Sequence, residues 1–164
     1  KGLSAADLAT LATLGSVLPA LEGLILYEPS GSADPDGVSR LAEGLVAGAL
    51  PAVAHLDIFG MHVGDAGASA LAATLDRGAL PRLKRLGLEN TAISDAGLVA
   101  LAPALRRLPA LEELFLEGNP LGDEGLAALV APPPPAGAPP PTTGGLAKLK
   151  VLDLSYTQVT DAGC

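Results

Sequence analysis

One pattern constrains this chain more than any other: L-x-x-L-x-L recurs, each time followed by a turn and then Asp-x-Gly. One copy runs Val53-Ala54-His55-Leu56-Asp57-Ile58 and continues to Gly64-Asp65-Ala66-Gly67. The next runs Leu83-Lys84-Arg85-Leu86-Gly87-Leu88 and continues to Ser94-Asp95-Ala96-Gly97. A third, Leu111-Glu112-Glu113-Leu114-Phe115-Leu116, leads to Gly122-Asp123-Glu124-Gly125. A fourth, Leu149-Lys150-Val151-Leu152-Asp153-Leu154, leads to Thr160-Asp161-Ala162-Gly163. A degenerate copy begins at Leu21-Glu22-Gly23-Leu24-Ile25-Leu26-Tyr27, has a longer turn, and rejoins the pattern at Gly37 and Leu41. The first positions fall at 21, 53, 83, 111 and 149, at spacings of 32, 30, 28 and 38 residues.

Each copy has a physical reading. The alternation that closes L-x-x-L-x-L suits a short strand with one buried face. Asp65, Asp95, Asp123 and Asp161 sit where a helix N-cap or first-turn carboxylate belongs. Leu71 and Leu75, and then Leu98, Leu101 and Leu105, follow at helical spacing. Pro51, Pro81 and Pro109 are expected to stop each helix before the next strand. A strand–turn–helix unit cannot bury its apolar faces alone, so the units must stack, strands beside strands and helices beside helices.

This repeat resembles the leucine-rich repeat proteins. Its period with a full helix resembles their ribonuclease-inhibitor-like class, and its last copy is similar to Thr-containing bacterial repeats. The resemblance implies an α/β solenoid: a right-handed βα horseshoe with a parallel sheet on the concave face and helices on the convex face. Residues 1–164 then form one domain of about five strands. Many such proteins carry Asn in the turn, where it satisfies buried backbone groups. Here that position holds Asn119 once, Thr91 and Thr157, and Met61, whose side chain cannot donate. A looser turn is expected near Met61.

Composition narrows the function classes. Apolar residues make up 49% of 164, most of them Leu and Ala. There is no Trp, and the aromatics are Tyr27, Phe59, Phe115 and Tyr156. The formal net charge of −8 argues against nucleic acid and anionic membrane as partners. No apolar run approaches the ~20 residues of a membrane helix. The single cysteine, Cys164, rules out an internal disulfide and leans towards a reducing compartment such as the cytoplasm. Lys1 to Leu18 reads as an amphipathic helix without the features of a signal peptide. Neither end carries the polar cap expected of a terminal repeat, so the chain reads as a fragment of a longer array. Residues 131–145 form a Pro-rich insertion, expected to be a surface loop. An SH3-type ligand is its alternative, but only Lys148 lies near the prolines.

Function is sought on the exposed side of the strands. Alternation places Gly23, Ile25 and Tyr27 there, then His55, Asp57 and Phe59, then Arg85, Gly87 and Glu89, then Glu113, Phe115 and Glu117, then Val151, Asp153 and Ser155. Three rows should cross the sheet: His55–Arg85–Glu113–Val151, Asp57–Gly87–Phe115–Asp153, and Tyr27–Phe59–Glu89–Glu117–Ser155. Three of the four aromatics fall on this face, as do five carboxylates against Arg85 alone. Aromatics beside charges are what interface hot spots look like. Like charges opposed on a sheet, as at Glu89 and Glu117, cost roughly 0.2–1 kcal/mol, which a basic partner would relieve. The expected function is a protein-interaction scaffold. Its acidic, aromatic-studded face of Tyr27, His55, Asp57, Phe59, Arg85, Glu89, Glu113, Phe115, Glu117 and Asp153 would take a basic or neutral protein surface. The alternatives are a sensor segment within a larger regulatory protein, and a structural spacer whose strand positions merely favour aromatics.

No enzyme, cofactor, metal or small-molecule site is expected. His55 and Asp57 share a face, but a metal needs three or four ligands and Glu113 stands beyond Arg85. His62 falls in a turn. Ser155 is too far from His55 to form a hydrolytic constellation, and Cys164 aligns with inward helix positions. The glycines follow the repeat and do not form a phosphate loop.

Overall fold

The computed structural model describes residue 10 and residues 18–27, 37–44, 50–130 and 146–161. Strands and helices alternate along them: β1 Gly23–Tyr27, α1 Gly37–Gly44, β2 His55–Phe59, α2 Gly64–Asp76, β3 Arg85–Gly87, α3 Asp95–Arg107, β4 Glu113–Phe115, α4 Asp123–Leu129 and β5 Val151–Asp153. The strands form one open parallel sheet in sequence order. Its register is that of the repeat: Leu24, Leu56, Leu86, Leu114 and Leu152 are successive partners. Each helix packs on the next, α1 on α2, α2 on α3 and α3 on α4. This is an open α/β solenoid of the kind the repeat implied.

The core lies between the sheet and the helices and consists of the repeat leucines. Leu83, Leu86 and Leu88, and Leu111, Leu114 and Leu116, are all buried, as are Leu71, Leu75, Leu98, Leu101 and Leu105 from the helices. With few large side chains, the layers must sit close and regular to reach protein packing density. The backbone ladder enforces this. At the strand entries one carbonyl serves two amides of the next repeat: Glu22 O accepts from Ala54 and His55, Ala54 O from Lys84 and Arg85, Lys84 O from Glu112 and Glu113, and Glu112 O from Lys150 and Val151.

The Asp-x-Gly signature works across repeats. Asp65 Oδ1 accepts from the amides of Ser94 (2.8 Å) and Gly97 (3.1 Å), and its Oδ2 accepts from the Ser94 hydroxyl. Asp95 Oδ1 likewise accepts from Gly122 (2.7 Å) and Gly125 (2.8 Å), and Asp123 accepts from the Thr160 amide and hydroxyl. Asp65 and Asp95 thus satisfy free amides at the start of the following repeat's helix, and Asp123 makes the matching bonds to the turn that follows β5. The glycine leaves room for it: a methyl on Gly125 would stand 2.7 Å from Asp95 Oδ1.

The prolines differ from expectation. α2 ends at Asp76, well before Pro81, and Gly78 turns the chain at φ +81° with its amide on Leu75 O. Pro81 instead occupies the second position of a turn closed by Leu83 N on Leu80 O, and Pro51 does the same between Leu50 and Val53. Only Pro109 acts as expected: it follows Leu108, the extended residue that caps α3. A further proline, Pro103, lies inside α3 without ending it.

The turn position behaves as its chemistry dictates. Asn119 is buried. Its carbonyl oxygen accepts from the amides of Thr91 and Ile93, and its amide group donates to Leu88 O and Leu116 O, so it joins two repeats. Thr91 and Thr157 bond back to Leu88 O and Leu154 O. Met61 goes into the core, and its turn is held by backbone bonds, Val63 N to Met61 O and both Val63 N and Gly64 N to Thr91 O. No described helix is long and apolar enough to cross a membrane. The expected helix over residues 1–18, save Thr10 and Leu18, the insertion 131–145 and Cys164 lie outside the described residues.

Candidate interaction face

Alternation along the strands and register across them put the singled-out side chains on one face. Gly23, His55, Arg85, Glu113 and Val151 are successive partners, and so are Ile25, Asp57, Gly87, Phe115 and Asp153. Tyr27 pairs with Phe59. Beyond the strand ends the third row continues through backbone bonds, Gly60 N to Glu89 O, Asn90 N to Glu117 O and Gly118 N to Ser155 O.

The aromatics do not stand free. The Tyr27 and Phe59 rings stack, with centroids 4.4 Å apart and planes at 21°. Phe115 lies under the Arg85 guanidinium, whose central carbon is 4.3 Å from the ring centroid. Arg85 also donates from Nε to Asp57 Oδ1 (3.0 Å) and from Nη1 to Glu113 Oε2 (3.4 Å). The Asp57 hydrogen bond, against some burial, raises the guanidinium's already high pKa. Arg85 therefore ties two rows and three strands together, a role that a reading by alternation alone does not reveal.

Gly87 is the gap in the middle row. A methyl there would stand 2.8 Å from Glu89 Oε2 and would overlap Asp57 Oδ1. Glu89 is half-buried beside this gap, and its Oε2 is fully buried with no hydrogen-bond partner. Burial is the main cause that pushes its carboxyl above the ordinary carboxylate value, and the charges of Asp57 and Glu117 add to it. Asp153, by contrast, is held below its ordinary value by hydrogen bonding to Ser155. Ile25, Asp57, Phe59, Arg85, Glu89 and Glu117 enclose a groove of roughly 360 Å³.

His55 is exposed and Asp57 turns to Arg85, so no described hydrogen bond joins the two. Among the described residues no group of three His, Cys, Asp or Glu is placed to hold a metal. Ile25, 66% exposed beside Tyr27 at 51%, belongs to the face as much as the aromatics do. The preference for aromatic anchors passed over it, although its strand position marked it.

A family model described as Leucine Rich repeat matches residues 108–130 and 145–164. No curated protein sequence matches the chain. Among solved structures, "Leiomodin-1 Actin-Binding Site 2 (ABS2)" is similar, with a TM-score of 0.53 and 18% identity over 68% of this chain and 62% of that one. An internalin from Listeria monocytogenes str. 4b F2365 is matched over 94% of this chain and 46% of its own, with 17% identity and a TM-score of 0.32. The chain thus spans less than two thirds of the length of either structure. The repeat match and the likeness in fold support a leucine-rich repeat protein.

Proposed function

We propose that this chain is a protein-interaction module and that the exposed sheet face is its docking surface, for a partner that is basic and partly apolar. The observation that carries this reading is the face itself. An exposed Ile25 and the Tyr27–Phe59 stack adjoin Glu89 and Glu117, for which no described ion pair supplies a cation. Aromatic anchors among carboxylates suit a cationic surface that can also bury apolar area. The strands hold these groups in fixed register, so little ordering entropy opposes binding. Within the leucine-rich repeats, the 13-residue helices α2 and α3 support the ribonuclease-inhibitor-like class. The leiomodin likeness supports the fold and carries nothing about actin.

The test is a partner recovered by affinity capture, purified, and titrated calorimetrically against the wild-type chain and a Phe59→Ala/Glu117→Ala variant. Loss of two anchors should weaken binding at least about tenfold, at roughly 1 kcal/mol or more each. An unchanged affinity would place the docking surface elsewhere.

A further inference from the structure

Arg85 is a worked example, inside this molecule, of what the sheet face does with a guanidinium. It lies over an aromatic ring, Phe115, and bridges the carboxylates of Asp57 and Glu113, one on each neighbouring strand. A second set of the same composition stands beside it. Phe59 has Tyr27 stacked on its β1 side, while Glu89 and then Glu117 follow in the row towards β5. This set has the ring and the two carboxylates but no arginine, because Arg85 is already bound to the other pair.

Two further features of this second set point outward. Glu89 Oε2 is buried with no hydrogen-bond partner, and leaving a buried polar atom unsatisfied is unfavourable. Gly87 has no side chain, so the carboxylates of Asp57 and Glu89 lie over it, beside the groove that Phe59, Glu89 and Glu117 line. The groove therefore brings a donor to the accessible part of the Glu89 carboxylate, and a turn of that side chain presents Oε2 to it. The donor must be cationic, since Asp57, Glu89 and Glu117 share the groove with Arg85 alone. A planar, forked guanidinium suits a ring flanked by carboxylates better than a compact ammonium does.

We propose that the Phe59–Glu89–Glu117 set is a seat for an arginine side chain presented by a basic segment of the partner protein. The proposal rests on the docking reading and adds one cation's place within it. Its probe is a blocked pentapeptide of alternating arginine and leucine, with lysine and glutamate counterparts, titrated against the 164-residue chain by NMR. The arginine peptide should bind at least tenfold tighter than the glutamate peptide and measurably tighter than the lysine peptide, with shifts centred on Phe59 and Glu117. Glu89→Gln should weaken it about tenfold. Asp76→Asn, on the helix side, should leave it unchanged. Thermal melts guard against misfolding, since Glu89→Gln removes a poorly solvated charge and should not lower the melting temperature.

Equal binding by wild type and Glu89→Gln overturns the seat, and equal binding of lysine and arginine peptides overturns the choice of arginine. If a purified partner loses affinity with Phe59→Ala/Glu117→Ala but not with Glu89→Gln, the docking face stands and the seat falls. If neither variant weakens that partner, both fall.

Discussion

Asp65 and Asp95 each serve the repeat that follows their own. Asp95 accepts two amides from the start of α4, and hydrogen bonds to a charged group are worth roughly 1.5–3 kcal/mol each at best. Asp95→Ala should therefore cost about 1–3 kcal/mol in urea unfolding. Gly125→Ala should cost a similar amount, because its methyl would press on Asp95 Oδ1 and on Leu98 Cδ2 at 3.2 Å. Combined, the two should cost clearly less than their sum, since removing the carboxylate removes much of the clash; strict additivity would contradict the contact.

Two carboxylates give opposite pH dependences. Burial pulls the Asp65 carboxyl up, but bonds from the Ser94 hydroxyl, the Ser94 amide and the Gly97 amide outweigh it, and it ends below 3.8. Its contribution is complete above that ordinary value and is lost as pH falls through the lower folded value, so acid weakening from this group belongs below about pH 4. Glu89, pushed above 4.5 chiefly by burial, works the other way. Its ionisation penalises the folded state at neutral pH, and the penalty lifts as pH falls through its raised folded value towards 4.5. Glu89→Gln should raise the melting temperature at pH 7 and lose that gain near pH 4.5. A flat difference between the two melts across this range would mean that Glu89 ionises as freely folded as unfolded.

Among the elements, strands were the most legible from sequence. Alternation at Leu83–Leu88 and Leu111–Leu116 assigns each side chain to a face, and repetition at matching positions fixes which residue stands beside which, so the rows through Arg85 and Phe115 follow from counting. What the pattern hid were contacts between repeats. Asp65 and Asp95 occupy the same position in their repeats, so a bond from one helix start to the next looks, along the chain, the same as a cap on the residue's own helix. Prolines misled for a related reason: Pro51 and Pro81 mark the turn into a strand, while a glycine at positive φ, Gly78, ends the helix. The pairing of Arg85 with Phe115 needed side-chain geometry that no spacing encodes.

Helix α3 carries a cost that the fold absorbs. Pro103 removes an amide and crowds the preceding turn, yet the helix reaches Arg107. Its last turn is tied to both neighbours, by Arg106 to Ala128 O on α4 and by Arg107 to Asp76 Oδ1 on α2 at 2.7 Å. Pro103→Ala should add about 1–2 kcal/mol in urea unfolding, less than the ~3 kcal/mol of an isolated helix because those ties already hold the turn.

At the scale of the molecule, every described strand and helix contacts its neighbours in the stack, so stability should divide by interface. The middle layers are the driest. Leu56, Leu86 and Leu114 are at most 1% exposed, while Leu152, their partner on β5, is 36% exposed. Native-state hydrogen exchange should therefore find the amides of β3 and the β2–β3 interface more protected than those of β5. Asn119 spans the β3–β4 interface and no other, through bonds to Leu88 O, Thr91 N and Ile93 N on one side and Leu116 O on the other. Asn119→Ala would strand two buried amides there, at a cost of about 2–4 kcal/mol. The loss should appear as faster exchange throughout β4, α4 and β5, which can open together once that interface fails, with β2 and α2 slowed or quickened far less. Uniform acceleration along the whole chain would show instead that the solenoid unfolds as a single cooperative block, with every interface reporting the same global opening.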